Sequence, residues 1–162
     1  MTKGGRGTNL PDDDQVIRYV PWTRLLKDED ENVLGFLPQA FQLRPDEDYL
    51  SVNWLEYYDG ARDTQIRLSV WAIRDTFERP LGAKSAFAIG SVADIKKTSQ
   101  ACGSRVRIVH EPLSNNPGHS GIRQLPRDDL TLLEALAADA FTERVNNIDI
   151  QTRPAEPPSS EI

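Results

Sequence analysis

The sequence predicts an α+β domain in which a small mixed or antiparallel sheet packs with two or three helices, between disordered tails. Residues 15–22 and 105–110 have the alternation or the β-branched and aromatic content of strands. Residues 63–77 and 128–145 instead place apolar side chains at helical spacing. Strands and helices interleave without the regular alternation of a doubly wound fold, so a parallel α/β architecture is not expected.

The N-terminal region predicts a tail followed by a strand that contains an arginine. Residues 1–14 combine flexible residues with a run of three aspartates, so they are expected to be disordered. Residues 15–22 follow as the first strand, which Pro21 closes. Arg18 lies within that strand, where it either faces solvent, pairs with a carboxylate, or faces a pocket and holds an anion.

The next segments predict an exposed loop and further strands. The charge run at residues 27–32 is typical of a solvated loop. Residues 33–41 are apolar but contain Gly and Pro, which favours a short edge strand or an irregular segment with buried Phe36 and Phe41. Residues 49–58 begin with polar and apolar residues in alternation, so we expect a strand at their start.

The middle of the chain predicts helices on either side of a strand. Asp63 is well placed to cap the first of these helices. The apolar face of that helix contains Ile66, Val70, Ile73 and Phe77. Residues 85–92 predict a strand, and residues 93–102 predict a helix that ends at Gly103 in the left-handed conformation.

The clearest amphipathic pattern lies near the C-terminus. Acidic residues after Pro126 are typical of a helix start, and the apolar stripe predicts a helix over residues 128–145 that covers one face of the sheet. Residues 151–162 are rich in proline and polar residues, so a second disordered tail is expected. Together with the length of 162 residues, these patterns indicate one α+β domain over residues 15–150.

The composition narrows the classes of function. The chain has 25 acidic and 19 basic residues, and the net charge of −6 argues against non-specific binding to nucleic-acid phosphates. Cys102 is the sole cysteine, so an intramolecular disulfide is impossible and a reducing compartment fits. The sequence has neither an apolar run of bilayer-spanning length nor the apolar core of a signal peptide, so we expect a cytoplasmic protein without membrane contact.

Both histidines of the chain, His110 and His119, flank one loop. Val106, Ile108 and His110 would share one face of a strand, because side chains alternate along it. The Asn-Asn-Pro-Gly run that follows predicts a turn. The residues after this turn would return as the second arm of a hairpin and bring His119 near His110.

This loop is the candidate site. His110 and His119 would act as acid and base, since histidine titrates near neutral pH. The polar residues expected to bind a substrate or ligand are Arg18, Ser51, Glu111, Asn116, Ser120 and Arg123. The alternative interpretation is structural, because a histidine at a strand end and an Asn-rich turn commonly bond to loop backbone.

Motifs for cofactors and metals are missing from the sequence. It contains no Gly-rich phosphate loop, HExxH, CxxC or nucleophile elbow, and two histidines separated by eight residues without cysteines do not match zinc spacings. We therefore expect neither a metal nor a cofactor. A zinc-bound module is the third alternative, and it requires Glu111 or a distant acidic residue as a further ligand. Ser120 beside His119 does not indicate a catalytic pair, because adjacent residues seldom orient each other correctly.

Two segments carry a resemblance to known sequences. Residues 40–54 (AFQLRPDEDYLSVNW) and 107–122 (RIVHEPLSNNPGHSGI) resemble small, mostly uncharacterised bacterial proteins that pair an AF…LSV segment with an H-x-P…N-P-x-H segment. The resemblance implies a bacterial, cytoplasmic, single-domain protein, and it implies no activity. The matching residues are Phe41, Ser51, Val52, His110, Pro112, Asn116, Pro117 and His119.

A fainter resemblance is to ADP-ribosyltransferase domains. Those domains have a polar residue on a first strand, a serine on a later strand and a glutamate, for which Arg18, Ser51 and Glu111 are the corresponding residues. Glu111 precedes a proline, which departs from the pattern of that family.

We expect a non-enzymatic accessory or protein-binding subunit of a bacterial system, such as a conflict, defence or toxin system, with a partner from the same operon. The acidic charge, the small size and the missing catalytic signatures favour this hypothesis. The alternative is an enzyme that uses His110 and His119 on a nucleotide or nucleic acid, as an ADP-ribosyltransferase-like enzyme, a hydrolase or a nuclease. The enzyme requires both histidines to converge in a cleft near an arginine, whereas the binding protein predicts histidines that are splayed or bonded to backbone.

Overall fold

The fold is built on a six-stranded sheet in which every neighbouring pair of strands is antiparallel. A computed structural model describes residues 4–151 and residue 153. In chain order the strands are β1 (Gln15–Val20), β2 (Leu25–Lys27), β3 (Val33–Phe36), β4 (Tyr49–Trp54), β5 (Ala86–Ser91), β6 (Arg107–His110), β7 (His119–Arg123) and β8 (Glu143–Asn146). The order across the sheet is β6-β7-β4-β1-β5-β8, and β2 and β3 form a separate hairpin.

Three α-helices accompany the sheet within the described residues: α1 (Arg62–Arg74), α2 (Val92–Ala101) and α3 (Leu130–Ala135). Short 3-10 turns follow β1, β3, β4 and β8. The α+β prediction with an antiparallel sheet is therefore confirmed. None of the helices in the described part of the chain is both long and apolar enough to cross a membrane.

The helices cover the two faces of the sheet unequally. On one face, α2 and α3 pack on a continuous core that reaches from β5 across to β6, with Ile95, Leu132 and Leu136 fully buried. On the other face, α1 contacts β1 and β4, and Ile66, Val70 and Ile73 join a second cluster with apolar side chains of β1 and β5. Polar side chains of β4 and β7 lie on that second face beside this cluster.

In place of the disordered tail predicted for residues 1–14, residues 4–14 lie along the edge of the sheet. The Leu10 N–H donates to the Ile108 carbonyl (2.9 Å), and the Gly7 N–H donates to the His110 carbonyl (2.8 Å). Leu10 is buried in the core. The sequence does not predict this contact with the sheet, because few residues of the segment are apolar and the partner strand is about a hundred positions away. Residues 1–3, 152 and 154–162 lie outside the described residues, and with them most of the predicted second tail.

The helix predicted over residues 128–145 is shorter than expected. It begins after the N-cap Asp129, whose side chain accepts from the Leu132 N–H (3.0 Å), and Ala135 ends its α-helical part. A π-helical turn, Leu136–Ala140, follows, and the chain then becomes β8, which pairs with β5. The prediction that this helix covers one face of the sheet is correct, whereas its last third was wrongly assigned because a strand partner on β5 outweighs the local helical pattern.

Elements in the middle of the chain agree more closely with the sequence. Residues 28–32 are the exposed connection between β2 and β3, and Phe36 and Phe41 are buried as expected. Helix α2 ends before Gly103, whose φ of 85° lies in the left-handed region that glycine adopts without steric cost. Phe77 lies beyond the end of α1 and is 47 % exposed, so it does not extend the apolar face of that helix.

Gly90 allows the π-helical turn to approach the sheet. A Cβ atom at this position would lie 2.6 Å from the Ala140 carbonyl oxygen and 3.2 Å from Cδ1 of Phe141. Both distances are shorter than ordinary van der Waals contact. A side chain on Gly90 must therefore push the turn away from β5.

We expect Gly90→Ala to lower the free energy of unfolding by about 1–3 kcal/mol, because the added methyl group overpacks a rigid backbone contact. Urea unfolding followed by circular dichroism measures this change. Gly35→Ala is the matched control, since a Cβ there meets nothing within 4 Å, and its expected change is under about 1 kcal/mol. Equal unfolding midpoints for Gly90→Ala and wild type would contradict the close packing of the turn.

Candidate functional site

Strands β1 and β4 separate partway along the sheet and leave a cleft between them. Their register consists of Val16 opposite Trp54 and Ile17 opposite Asn53. Beyond Ile17, β1 continues to pair with β5 as far as Val20, and β4 continues to pair with β7. The separation therefore opens the middle of the sheet at Arg18.

The Arg18 side chain occupies the opening. Its Nε–H donates to the Ala40 carbonyl (2.8 Å), and its Nη1 donates to the Ser51 carbonyl (2.7 Å). Within residues 4–151 and 153, no carboxylate forms an ion pair with it. Burial lowers the pKa of Arg18 to about 10, and the attraction of Glu47 opposes this lowering. The side chain therefore stays cationic at neutral pH.

The cleft has a volume of about 430 Å³ and combines a basic end with an apolar end. Arg24 and Arg44 are exposed at the basic end, where Glu47 is the one carboxylate among the lining residues described. At the apolar end the rings of Tyr19 and Phe77 meet edge to face, with centroids 5.5 Å apart. The lining residues thus present three arginines against one glutamate in a protein of net charge −6.

Ser51 and His119 form a hydrogen-bonded pair in the wall of this cleft. The Nε2 atom of His119 lies 3.2 Å from Oγ of Ser51, and Nδ1 lies 2.8 Å from the Glu111 carbonyl oxygen. Because a carbonyl accepts, Nδ1 carries the proton of the neutral ring and Nε2 accepts from the Ser51 hydroxyl. Burial lowers the pKa of His119, against smaller opposing effects of Glu111, so the imidazole is neutral at pH 7.

Asn53 and Asn116 clamp the loop against β4. Each side-chain amide donates to the side-chain oxygen of the other, at 2.7 and 3.0 Å, and both residues are 2 % exposed. The Asn116 carbonyl also accepts from the His119 N–H (3.1 Å). This reciprocal pair satisfies buried polar groups and fixes the loop that leads into β7.

His110 and His119 do not converge. The predicted hairpin forms, but its register sets His110 opposite Ser120, so the neighbouring His119 points to the other face of the sheet. The His110 ring accepts from the Gly5 N–H at Nδ1 (2.9 Å) and donates from Nε2 to the Pro117 carbonyl (2.7 Å). Both ring nitrogens of His110 are bonded to backbone, so the structure does not bring the two histidines together as an acid–base pair.

Glu111 lies next to the cleft but outside its lining residues. Its buried carboxylate accepts from Arg123 (3.0 Å), and the guanidinium of Arg123 stacks over the ring of Tyr49. Arg18 and Ser51 both line the cleft, and the carboxylate near Arg18 is Glu47. Glu111, the residue that corresponds to the glutamate of ADP-ribosyltransferase domains, therefore pairs with Arg123 outside the cleft.

Four of the eight residues proposed from the sequence line the cleft: Arg18, Ser51, Asn116 and His119. Sequence reasoning missed Arg24, Arg44, Glu47 and Asn53. The alternation along β4 was a signal for Asn53, because it puts Asn53 on the same face as Ser51. The other three lie in irregular segments, whose sequence does not indicate where their side chains go.

In the described part of the chain, no three His, Cys, Asp or Glu side chains come together as a metal site would require. No protein-family model, curated protein sequence or solved structure matches this chain.

Removing one member of the asparagine pair leaves a buried amide without its partner. We expect Asn116→Ala to lower the free energy of unfolding by about 1–3 kcal/mol. In a double-mutant cycle with Asn53→Ala, the two losses are expected to be non-additive by at least about 0.5 kcal/mol. The exposed neighbour Asn115→Ala is the control, and additive losses in the cycle would contradict a direct amide pair.

The lowered pKa of His119 predicts a pH dependence of stability. The unfolded chain takes up the proton first as pH falls below 6.5, the ordinary pKa, so stability is complete above that value and declines toward the folded pKa. His119→Gln removes this contribution. Thermal unfolding between about pH 7 and about pH 5 should therefore show a shallower decline for His119→Gln than for wild type. Parallel declines would mean that His119 titrates normally in the folded protein.

Proposed function

We propose that the protein binds a small anionic ligand in the cleft between β1 and β4. The observation that carries the proposal is the half-buried guanidinium of Arg18, which donates to two backbone carbonyls and has no ion-pair partner among the described residues. Burying a cation without a counter-ion is unfavourable. A bound anion would supply the missing charge.

The chemistry of Arg18 supports a carboxylate or phosphate as the anionic group. A guanidinium has five N–H donors in a planar fork, and the contacts with Ala40 and Ser51 use Nε and Nη1. Its further donors match two oxygens of one carboxylate or phosphate group. Arg24 and Arg44 add positive charge at the mouth of the cleft, which would attract an anion against the negative charge of the whole protein.

The size and the apolar end of the cleft define the ligand further. A volume of about 430 Å³ is in the range of small-molecule sites. Tyr19, Phe77 and Leu113 also line the cleft and offer apolar surface that is partly exposed. The proposed ligand therefore combines an acidic group with an apolar or aromatic portion.

This proposal belongs to the class of binding proteins expected from the sequence, with a small molecule as the first ligand. The expectation of a protein partner from the same operon stays a prediction. An enzymatic role based on His110 and His119 has lost its geometric support, because the two rings lie on opposite faces of the hairpin.

Phenyl phosphate tests the proposal, with benzyl alcohol as its uncharged counterpart, in NMR titrations of the labelled protein. We expect phenyl phosphate to shift resonances of the cleft residues and to bind more weakly as salt increases. Arg18→Lys should raise its Kd about 10-fold or more, since a charged hydrogen bond contributes about 1.5–3 kcal/mol. Arg44→Gln, at an exposed position, should raise Kd a few-fold without affecting the sheet.

Arg67→Gln is the matched control, because it removes the same charge from the exposed face of α1, where Arg67 pairs with Asp63. Circular dichroism establishes that each variant is folded. The proposal is wrong if phenyl phosphate, benzoate and citrate leave the cleft resonances unchanged at millimolar concentrations. Equal affinities for wild type, Arg18→Lys and Arg44→Gln would also contradict it.

A further inference from the structure

We propose that Ser51 and His119 are a nucleophile and its general base, and that the cleft hydrolyses carboxylic esters that carry an anionic group. The Oγ atom of Ser51 and the Nε2 atom of His119 are 3.2 Å apart, and both residues line the cleft. The choice of an anionic substrate rests on the anion-binding function proposed above. The Ser51–His119 pair itself is a separate observation.

The base is held in the orientation that this chemistry needs. His119 and Glu111 exchange two hydrogen bonds: the Glu111 N–H donates to the His119 carbonyl (2.9 Å), and Nδ1–H of His119 donates to the Glu111 carbonyl (2.8 Å). The second bond fixes the tautomer with Nε2 unprotonated and directed at Ser51. A third group that orients the base is the mark of an activated nucleophile, and here it is a backbone carbonyl instead of a carboxylate.

The serine is also held in place from two sides. Ser51 pairs with Gly121 in the β4–β7 ladder, and its carbonyl accepts from Nη1 of Arg18 (2.7 Å). Its side chain is half-buried at the wall of the cleft, so a small molecule inside the cleft can reach Oγ. Arg18 and Ser51 therefore present a cation and a nucleophile to the same space.

The burial of His119 supports its role as a base. The ring is 8 % exposed, and burial lowers its pKa, so it is unprotonated at neutral pH. The groups that act on its charge are Glu111, His110 and Arg6, of which Glu111 favours the proton and the other two oppose it. The imidazolium formed during reaction would be stabilised by a carbonyl dipole rather than by a full negative charge, which suits esters with good leaving groups better than amides.

The proposed hydrolysis uses the ester, water and the side chains of Ser51 and His119, and it needs no cofactor. The Ser51 hydroxyl oxygen attacks the ester carbonyl carbon while Nε2 of His119 takes the hydroxyl proton. The tetrahedral intermediate collapses, the bond from carbon to the alkoxy oxygen breaks, and His119 returns the proton to the leaving alcohol. Water then attacks the acyl-serine while Nε2 of His119 takes one of its protons. The bond from the acyl carbon to Oγ of Ser51 breaks, and His119 returns the proton to Oγ, which releases the carboxylic acid and restores both side chains.

A fluorophosphonate probe tests the pair directly, because it phosphonylates an activated serine and leaves an ordinary serine unmodified. We expect the full-length protein to gain one adduct in intact mass, mapped by peptide sequencing to Ser51. Ser51→Ala should abolish labelling, and His119→Gln should slow it about 100-fold or more. Ser120→Ala is the matched control, since Ser120 is adjacent to His119 in sequence but faces the opposite side of the sheet.

The substrate class is tested with 4-nitrophenyl acetate and the anionic 4-nitrophenyl hemisuccinate. We expect kcat/KM to be higher for the hemisuccinate than for the acetate. The Arg44→Gln substitution should lower kcat/KM a few-fold for the hemisuccinate and leave the value for the acetate unchanged. Equal kcat/KM values for the two esters, unchanged in Arg44→Gln, would contradict the proposal that the substrate is anionic. Ser51→Ala should still bind phenyl phosphate, which keeps the two proposals distinguishable. A wild-type protein that binds phenyl phosphate but shows no adduct on Ser51 would overturn the catalytic pair and leave the binding function intact.

Discussion

The hydrogen bonds of the half-buried Arg18 guanidinium are the interaction on which the centre of this fold depends. Arg18 lies where β1 and β4 cease to pair, and it donates to the carbonyl of Ser51 on β4 and to the carbonyl of Ala40 in the turn after β3. One side chain thereby stabilises the open sheet and gives the cleft its charge. Removing it would leave buried acceptors without partners, so the structural and the proposed binding roles of Arg18 share one physical cause.

The register of the β6–β7 hairpin determines which polar groups reach that cleft. Because side chains alternate along a strand, the pairing of His110 with Ser120 sends His110 to the backbone of Gly5 and Pro117 and leaves His119 for Ser51. A slip of one residue would exchange the faces of the two histidines. The amide pair between Asn53 and Asn116 opposes such a slip, since it ties the loop to a fixed position on β4.

The unequal cover of the sheet explains why a polar cleft can exist in a folded core. Helices α2 and α3 pack on the larger apolar cluster on one face, which provides the apolar burial that a domain of this size needs. Helix α1 packs on a smaller cluster on the other face. Ser51 and Asn53 lie at the boundary of this cover, where hydrogen-bonded polar groups can be shielded from bulk water while one side remains open to a ligand.

The sequence by itself determined the local features of this protein: the strand preference of β1, the alternation of β4, the apolar face of α1, the left-handed end of α2 and the Asn-Pro-Gly turn between the histidines. These follow from the period of the apolar residues and from backbone preferences, which act over a few neighbours. Only the tertiary structure decided that residues 4–14 pack on β6, that the final helix gives way to β8, and that Ser51 meets His119 across 68 positions. Each of these depends on what a distant strand offers as a partner. A local pattern specifies which face of an element is apolar, but the strand register and the long-range hydrogen bonds specify which side chains meet.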